Sequence, residues 1–336
     1  MTTTSPAVPA ALVESARALI AAAKRVLIVA HVLPDGDAVG SLLGLGLALR
    51  AAGKEVVLAC DDPAPDNFRF LPGADEITPA PSGDFDLVIA VDISDARRMG
   101  DIGKQLGRPP HLLLDHHITN HGFADLNLLD PDAASTGELI TELLEPLGLP
   151  LPQAAASCLL AGVLTDTIGF RTSNTTPKTL GLAQKLMEAG APLAVLYKNV
   201  LSRRSFEAVR LWAEGLARLR EDDGIVWASL TLKGRRASGY GGTGDADLID
   251  ILTTVRDAKI AIVFSERTDG TIKVSWRSAP DINVAQLATT FGGGGHAPAA
   301  GAEIPGTLPE VEKKVILATK ALLNGAAPKP QAAPKA

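Results

Sequence analysis

The segment RVLIVAHVLPDGDAVGS, residues 25–41, decides the fold. After Arg25 it runs apolar to Ala30, the pattern of a short strand covered on both faces. The loop that follows carries His31, Asp35 and Asp37, with Gly36 between the two acids to allow a tight turn. A helix is expected from about Ala38 to Ala52, closed by Gly53, and EVVLAC (55–60) is the next strand. Strand, helix and strand form a βαβ unit, which calls for a parallel sheet with a right-handed crossover.

The pattern continues on either side. Residues 10–23 read as a helix. DLVIAVDIS (86–94) and HLLLDHH (111–117) read as strands that end in acid or histidine. TGELITELLEPLG (136–148) reads as a helix capped by Ser135 or Thr136, with Glu138 in its first turn. Further helices are expected over 152–165, running into LTDTIGF, and over 177–189, closed by Gly190. Open α/β sheets bind ligands beyond the carboxyl ends of their strands. Strands leading into DGD, VDIS and DHH therefore bring residues distant in sequence to one crevice.

The fold class is α/β: an N-terminal domain with a largely parallel sheet flanked by helices, and a smaller C-terminal α/β domain. The expected boundaries are 1–190 for the first domain, 191–222 for a helical connector, 223–325 for the second domain and 326–336 for a disordered tail rich in Pro, Ala and Lys. In the second domain IVWASLTL (225–232), KIAIVFSER (259–267) and GTIKVSWRS (270–278) read as strands, and 282–291 and 308–324 as helices.

The 336 residues suffice for two cores; 46% are hydrophobic but only 4% aromatic, so Leu, Val, Ile and Ala must fill them. Few aromatics and a net charge of -6 argue against an extended single-strand track and against stable duplex DNA binding. Cys60 and Cys158 stand apart, with no CxxC spacing, and read as free thiols of a reducing compartment. MTTTSPAVPA does not read as a signal peptide, and no apolar stretch reaches the length of a membrane span. The expected location is cytoplasmic, with no membrane partner.

Two constellations carry chemistry. The first is His31, Asp35, Asp37, Asp92, Asp115, His116, His117, His121 and Asp166, all at predicted strand or helix ends. Asp35 and Asp37 repel unless a cation lies between them. A set this dense exceeds what caps and turns need. Mixed imidazole and carboxylate ligands suit Mn, Zn or Fe, and carboxylate-rich bridging sites favour Mn or Mg. A metal pair about 3.5–4 Å apart would generate hydroxide and clamp a phosphoryl oxygen. A GxSxG elbow is absent, and DGDAVG is too acidic to cradle phosphate by backbone alone. The second constellation is FGGGGHAPAAG (291–301), whose glycines Gly292, Gly293, Gly294 and Gly295 expose N–H groups beside His296, with Arg277 and Ser278 ending a strand upstream. GYGGTGD (239–245) reads as a flexible segment, either a lid or a plain surface loop.

These motifs resemble the DHH phosphoesterase superfamily. HVLPDGDAVGS is similar to its first motif, VDISD to the second, DHHITN to the naming motif and LLAGVLTDTIGF to the fourth. KVSWRSAPDINVAQLATTFGGGGHAPAAG resembles the C-terminal DHHA1 domain. The likeness covers about residues 20–320, and the length without further modules is similar to the bifunctional oligoribonuclease and 3'-phosphoadenosine-5'-phosphate (pAp) phosphatase subgroup. The resemblance implies two Mn²⁺ per subunit, with Mg²⁺ or Co²⁺ as substitutes. His31, Asp35 and Asp92 would hold one ion; Asp37, Asp92, His116 and Asp166 would hold the other, with Asp92 bridging. It implies that Asp115 orients the site, that His117 contacts the scissile phosphate, and that Arg277, Ser278 and Gly292 to His296 hold the distal nucleotide. Ala297-Pro298-Ala299 stands where the family commonly has a basic residue, which removes one positive contact.

The implied reaction is hydrolysis of short RNA or small nucleotides by a homodimer. Cyclic di-AMP hydrolysis, a RecJ-like single-strand exonuclease and an inorganic pyrophosphatase share the metal motifs. A nucleotide-binding protein without catalysis is the reading from another class; a dinucleotide left intact in Mn²⁺ would favour it.

Overall fold

The computed structural model describes residues 8–325. The chain divides after Arg203 into two compact units. The tail expected to be disordered, 326–336, and the first seven residues lie outside the described part.

The first unit contains α1 (Ala10–Ala22), β1 (Arg25–Val29), α2 (Gly36–Ala51), β2 (Glu55–Ala59), β3 (Leu87–Val91), α3 (Gly100–Leu106), β4 (Leu112–Asp115), β5 (Leu126–Leu129), α4 (Thr136–Leu143), α5 (Gln153–Asp166), α6 (Pro177–Glu188) and α7 (Leu193–Tyr197). Its sheet runs β2-β1-β3-β4-β5, every neighbour parallel. The unbroken apolar strands follow from that. Val26 and Ile28 face one core with α2, α4 and α5, while Leu27 and Val29 face a second core with Met99 and Ile102.

Three sequence expectations need correction. β1, β3 and β4 stop earlier than predicted, so Asp92, His116 and His117 lie just beyond the paired strands, as His31 does. The helix expected from Ala38 begins at Gly36, because Asp35 caps it by accepting the N–H groups of Asp37 (3.1 Å) and Ala38 (3.0 Å). Gly36 therefore makes no special turn, and it serves close packing instead: a Cβ there would overlap the side chains of Thr165 and Phe68.

Gly40 and Gly44 continue that role at four-residue spacing along one helical face. A Cβ on Gly40 would lie 2.5 Å from the Cys158 carbonyl oxygen, and one on Gly44 would lie 2.5 Å from Leu159 Cγ. The glycine face lets α5 approach α2 backbone to backbone, which brings Asp37 and Asp166 to the same end of the sheet.

The second unit contains α8 (Phe206–Leu216), β6 (Arg220–Asp222), β7 (Ile225–Leu230), α9 (Leu232–Ser238), α10 (Leu248–Leu252), β8 (Ile260–Glu266), β9 (Thr271–Ser278), α11 (Val284–Thr290), β10 (Gly294–His296), β11 (Ala299–Pro305) and α12 (Leu308–Leu323). Its sheet runs β10-β11-β9-β8-β7-β6, with only β7 and β8 parallel. Trp276 and Phe264 are buried in its core.

Gly40→Ala is expected to destabilise the first unit by about 1–3 kcal/mol through overpacking, read as a fall in Tm of several degrees. Gly181→Ala in α6, where a Cβ meets nothing within 4 Å, is expected to leave Tm unchanged or slightly raised.

Candidate metal centre

The carboxyl ends of β1, β3 and β4, the start of α2 and the end of α5 converge on one cluster. His31 Nε2 lies 3.7 Å from Asp35 Oδ2 and 3.8 Å from Asp92 Oδ2. His116 Nε2 lies 4.0 Å from Asp37 Oδ2, 3.8 Å from Asp92 Oδ1 and 3.3 Å from Asp166 Oδ2. His31–Asp35–Asp92 and Asp37–His116–Asp166 are each compact enough to hold an ion, and Asp92 reaches towards both.

The donor chemistry fits divalent cations. Ligands bonded at about 2.0–2.2 Å to one ion stand roughly 3–3.6 Å from each other, close to the separations found. His31 Nε2 is buried and has no hydrogen-bond partner among the described residues, as a nitrogen reserved for a cation would be. Its other nitrogen, Nδ1, lies 2.8 Å from the Val32 carbonyl.

Charge makes the same point. Burial, then the charge of Asp166, pushes Asp37 up to about 8. Burial and the neighbouring charges of Asp37, Asp35 and Asp166 push Asp92 well above the usual carboxylate range. Burial raises Asp166 too, against the hydrogen bond from His116. Burial alone would lower His116, but the surrounding carboxylates of Asp166, Asp37 and Asp92 lift it to about 10. Asp35 differs: burial is outweighed by His31, the Ala38 N–H and the charge of Arg98, and it falls to about 2. Several carboxylates thus share too little positive charge to ionise together.

The remaining predicted residues sort by position. Asp115 is fully buried and accepts from Asn120 Nδ2 at 2.6 Å, and its Oδ1 lies 2.8 Å from His117 Nδ1. Burial pushes Asp115 up, but His117 and Asn120 hold it below its ordinary value. His117 is 28% exposed, and with Nδ1 tied to Asp115 its Nε2 is left for a ligand. His111 lies at the opposite edge of the sheet, where Nδ1 accepts the Val88 N–H at 3.0 Å. His121 is exposed and in neither ligand group.

In the second unit the glycine run is not the open cradle expected from the sequence. The N–H groups of Gly292 and Gly293 bond the carbonyls of Thr289 and Ala288 at the end of α11, at 3.1 and 2.9 Å. Gly294 to His296 form an edge strand against β11. Ser278 Oγ donates to the Ile282 carbonyl at 2.6 Å, and Arg277 Nη1 donates to the Trp276 carbonyl at 3.1 Å. The segment 239–245 is held by Arg235, whose guanidinium donates to the carbonyls of Gly242 and Gly244 at 2.6 and 2.8 Å.

Several site residues were not found from the sequence. The N-terminus of α4 seizes the carboxylates: Thr136 N–H donates to Asp37 Oδ2 at 2.6 Å, Gly137 N–H to Asp37 Oδ1 at 2.9 Å, and Thr136 Oγ1 to Asp92 Oδ1 at 2.8 Å. Ser135 caps that helix through the Glu138 N–H. Gly162 on α5 is small because a Cβ would lie 2.6 Å from Asp37 Oδ1. Asp92 adopts φ 58°, a left-handed backbone held by its N–H bond to the Leu114 carbonyl at 3.0 Å. The STGE stretch signalled a cap, but not what the cap would hold.

Residues 25–163 match the family model for the N-terminal domain of the DHH family, and residues 245–324 match the DHHA1 domain. The chain belongs to the DHH family of phosphoesterases, which are metal-dependent enzymes. It is 33% identical over 89% of its length to a bifunctional oligoribonuclease and PAP phosphatase (NrnA) of Thermus thermophilus, covering 90% of that protein. It is 31% identical over 93% of its length to a cyclic-di-AMP phosphodiesterase (GdpP) of Geobacillus thermodenitrificans, covering 50% of that longer protein. The crystal structure of an exopolyphosphatase-related protein from Bacteroides fragilis superposes with a TM-score of 0.86 at 25% identity, over 96% of this chain and 98% of that one.

Thr136→Val is expected to weaken Mn²⁺ affinity about ten- to a hundredfold with the fold intact, measured by calorimetry. Asp37 and His116 both hold protons more tightly folded than unfolded. The metal-free protein therefore loses stability as pH rises, through Asp37 from about 4 to about 8 and through His116 from about 6.5 to about 10. Melting in chelator is expected to drop by a few degrees between about pH 6.5 and 8, where both slopes act. Saturating Mn²⁺ is expected to remove most of that drop.

Proposed function

We propose that this chain hydrolyses short oligoribonucleotides and dinucleotides such as pApA to nucleoside 5'-monophosphates, and pAp to AMP. The observation that carries the reading is the convergence of His31, Asp35, Asp37, Asp92, His116 and Asp166 on one end of a parallel sheet. Similarity along nine-tenths of the chain to a protein named for both activities supports it.

His31, Asp35 and Asp92 are the proposed ligands of one Mn²⁺, and Asp37, Asp92, His116 and Asp166 those of a second. When bound, the ions would supply a water acidic enough to attack phosphorus and positive charge for the phosphoryl oxygens. The chain's own part is to hold the donors. Asp115 accepts the hydrogen bond from Nδ1–H of His117 and so fixes the ring, and in its doubly protonated form His117 would donate Nε2–H to a phosphoryl oxygen as negative charge develops there. Thr136 and Gly137 keep the Asp37 and Asp92 carboxylates at fixed angles. Arg277, Ser278, His296 and the glycines from 292 to 295 are proposed to take the distal nucleotide, with Arg277 keeping donors beyond the one it spends on the Trp276 carbonyl.

Among the described residues no helix is long and apolar enough to cross a membrane. A cytoplasmic homodimer is the proposed form. A second reading, cyclic di-AMP hydrolysis, rests on the 31% identity to the phosphodiesterase of that name.

One panel tests these readings: pApA, pAp, cyclic di-AMP and RNAs of graded length, each with Mn²⁺. Turnover of pApA and pAp well above cyclic di-AMP and long RNA is expected; the reverse order would replace the proposal with the second reading. Asp92→Ala is expected to lower kcat by at least about a thousandfold, and His117→Ala by about a hundred- to a thousandfold. Near-normal turnover by Asp92→Ala would sink the shared-ligand mechanism.

A further inference from the structure

One arginine stands beside the cluster without a carboxylate of its own. Arg98 lies in the short turn Ala96–Met99 after β3, and its side chain is partly exposed. The turn is tied to the His31 loop, since the Arg98 carbonyl accepts the Val32 N–H at 2.9 Å. The adjacent Arg97 is forked onto Asp95, with Nε to Oδ1 at 2.9 Å and Nη2 to Oδ2 at 3.0 Å. Arg98 has no such partner among the described residues; its one side-chain contact of hydrogen-bond length is Nη2 to His31 Nδ1 at 3.0 Å.

That contact competes with another. The Val32 carbonyl, 2.8 Å from the same Nδ1, needs a proton on that nitrogen, whereas Arg98 needs a lone pair there. One ring nitrogen cannot serve both. Nε2 is the nitrogen facing Asp35 and Asp92. A histidine that gives its Nε2 lone pair to a cation carries its proton on Nδ1. Val32 then keeps its hydrogen bond, and the Arg98 guanidinium is left with unspent donors at the rim of the cluster.

We propose that Arg98 is a phosphate-binding residue, whose planar fork takes two oxygens of the phosphate that lies over His31, Asp35 and Asp92. The assignment rests on the reading of the cluster as a metal-dependent phosphoesterase centre. It makes Arg98 a contact to substrate rather than a support for His31.

The test is calorimetric titration of inorganic phosphate into the Mn²⁺-loaded full chain, with Mn²⁺ affinity measured separately, for wild type, Arg98→Ala and Arg98→Lys. The phosphate Kd is expected to rise about ten- to a hundredfold in Arg98→Ala and less in Arg98→Lys, with Mn²⁺ affinity unchanged within about twofold. An unchanged phosphate Kd would overturn the assignment. So would lost Mn²⁺ affinity with normal phosphate binding by the loaded fraction, since Arg98 would then only support His31. If wild type binds phosphate through Arg98 yet cleaves neither pAp nor pApA, the assignment stands and the proposed substrates fall.

Discussion

Carboxylates packed into a buried crevice cannot all ionise without positive charge between them, and the first unit is organised around that constraint. Asp37 and Asp92 are each about 1% exposed and pushed towards the protonated form. The chain supplies partial relief through the N-terminus of α4, whose N–H groups bond both oxygens of Asp37. The imidazole of His116 and the nearby guanidinium of Arg98 add more. Bound divalent cations would complete the balance, and Nε2 of His31, without a hydrogen-bond partner among the described residues, would be a donor to one.

Much of this architecture exists to bring the carboxylates to one place. A parallel sheet delivers His31, Asp92 and His116 from adjacent strands β1, β3 and β4 at the same edge. The glycine face of α2 lets α5 come close enough for Asp166 to reach His116. The left-handed backbone at Asp92 turns the side chain that lies between His31 and His116. Strain at one residue is tolerated because the Leu114 and Thr136 hydrogen bonds fix it from two sides.

The residues of the candidate metal centre were legible in the sequence because they sit where periodic apolar runs stop, and such stops are readable without coordinates. Their supports were far less legible. Thr136 was visible only as a helix start, since nothing local says that Asp37, a hundred positions earlier, fills that start. Gly36 was read as a turn when its purpose is contact with Thr165, a tertiary fact. The four-glycine run was read as free backbone, but two of its N–H groups close α11 and its end pairs as an edge strand. β5 was missed because only Leu128 of its four residues is buried. The misses at Thr136 and Gly36 concern partners distant in sequence, whereas the glycine run closes on its near neighbours in the chain and β5 lacks an apolar pattern.

The central claim is a bridged pair of ions sharing Asp92, and electron paramagnetic resonance of the Mn²⁺-titrated protein tests it most directly. Two ions per chain with the broad, exchange-coupled spectrum of a closely spaced manganese pair is the expected result. In Asp92→Asn the coupled signal should vanish. A spectrum of isolated Mn²⁺ in wild type, or coupling that persists without the Asp92 carboxylate, would contradict it.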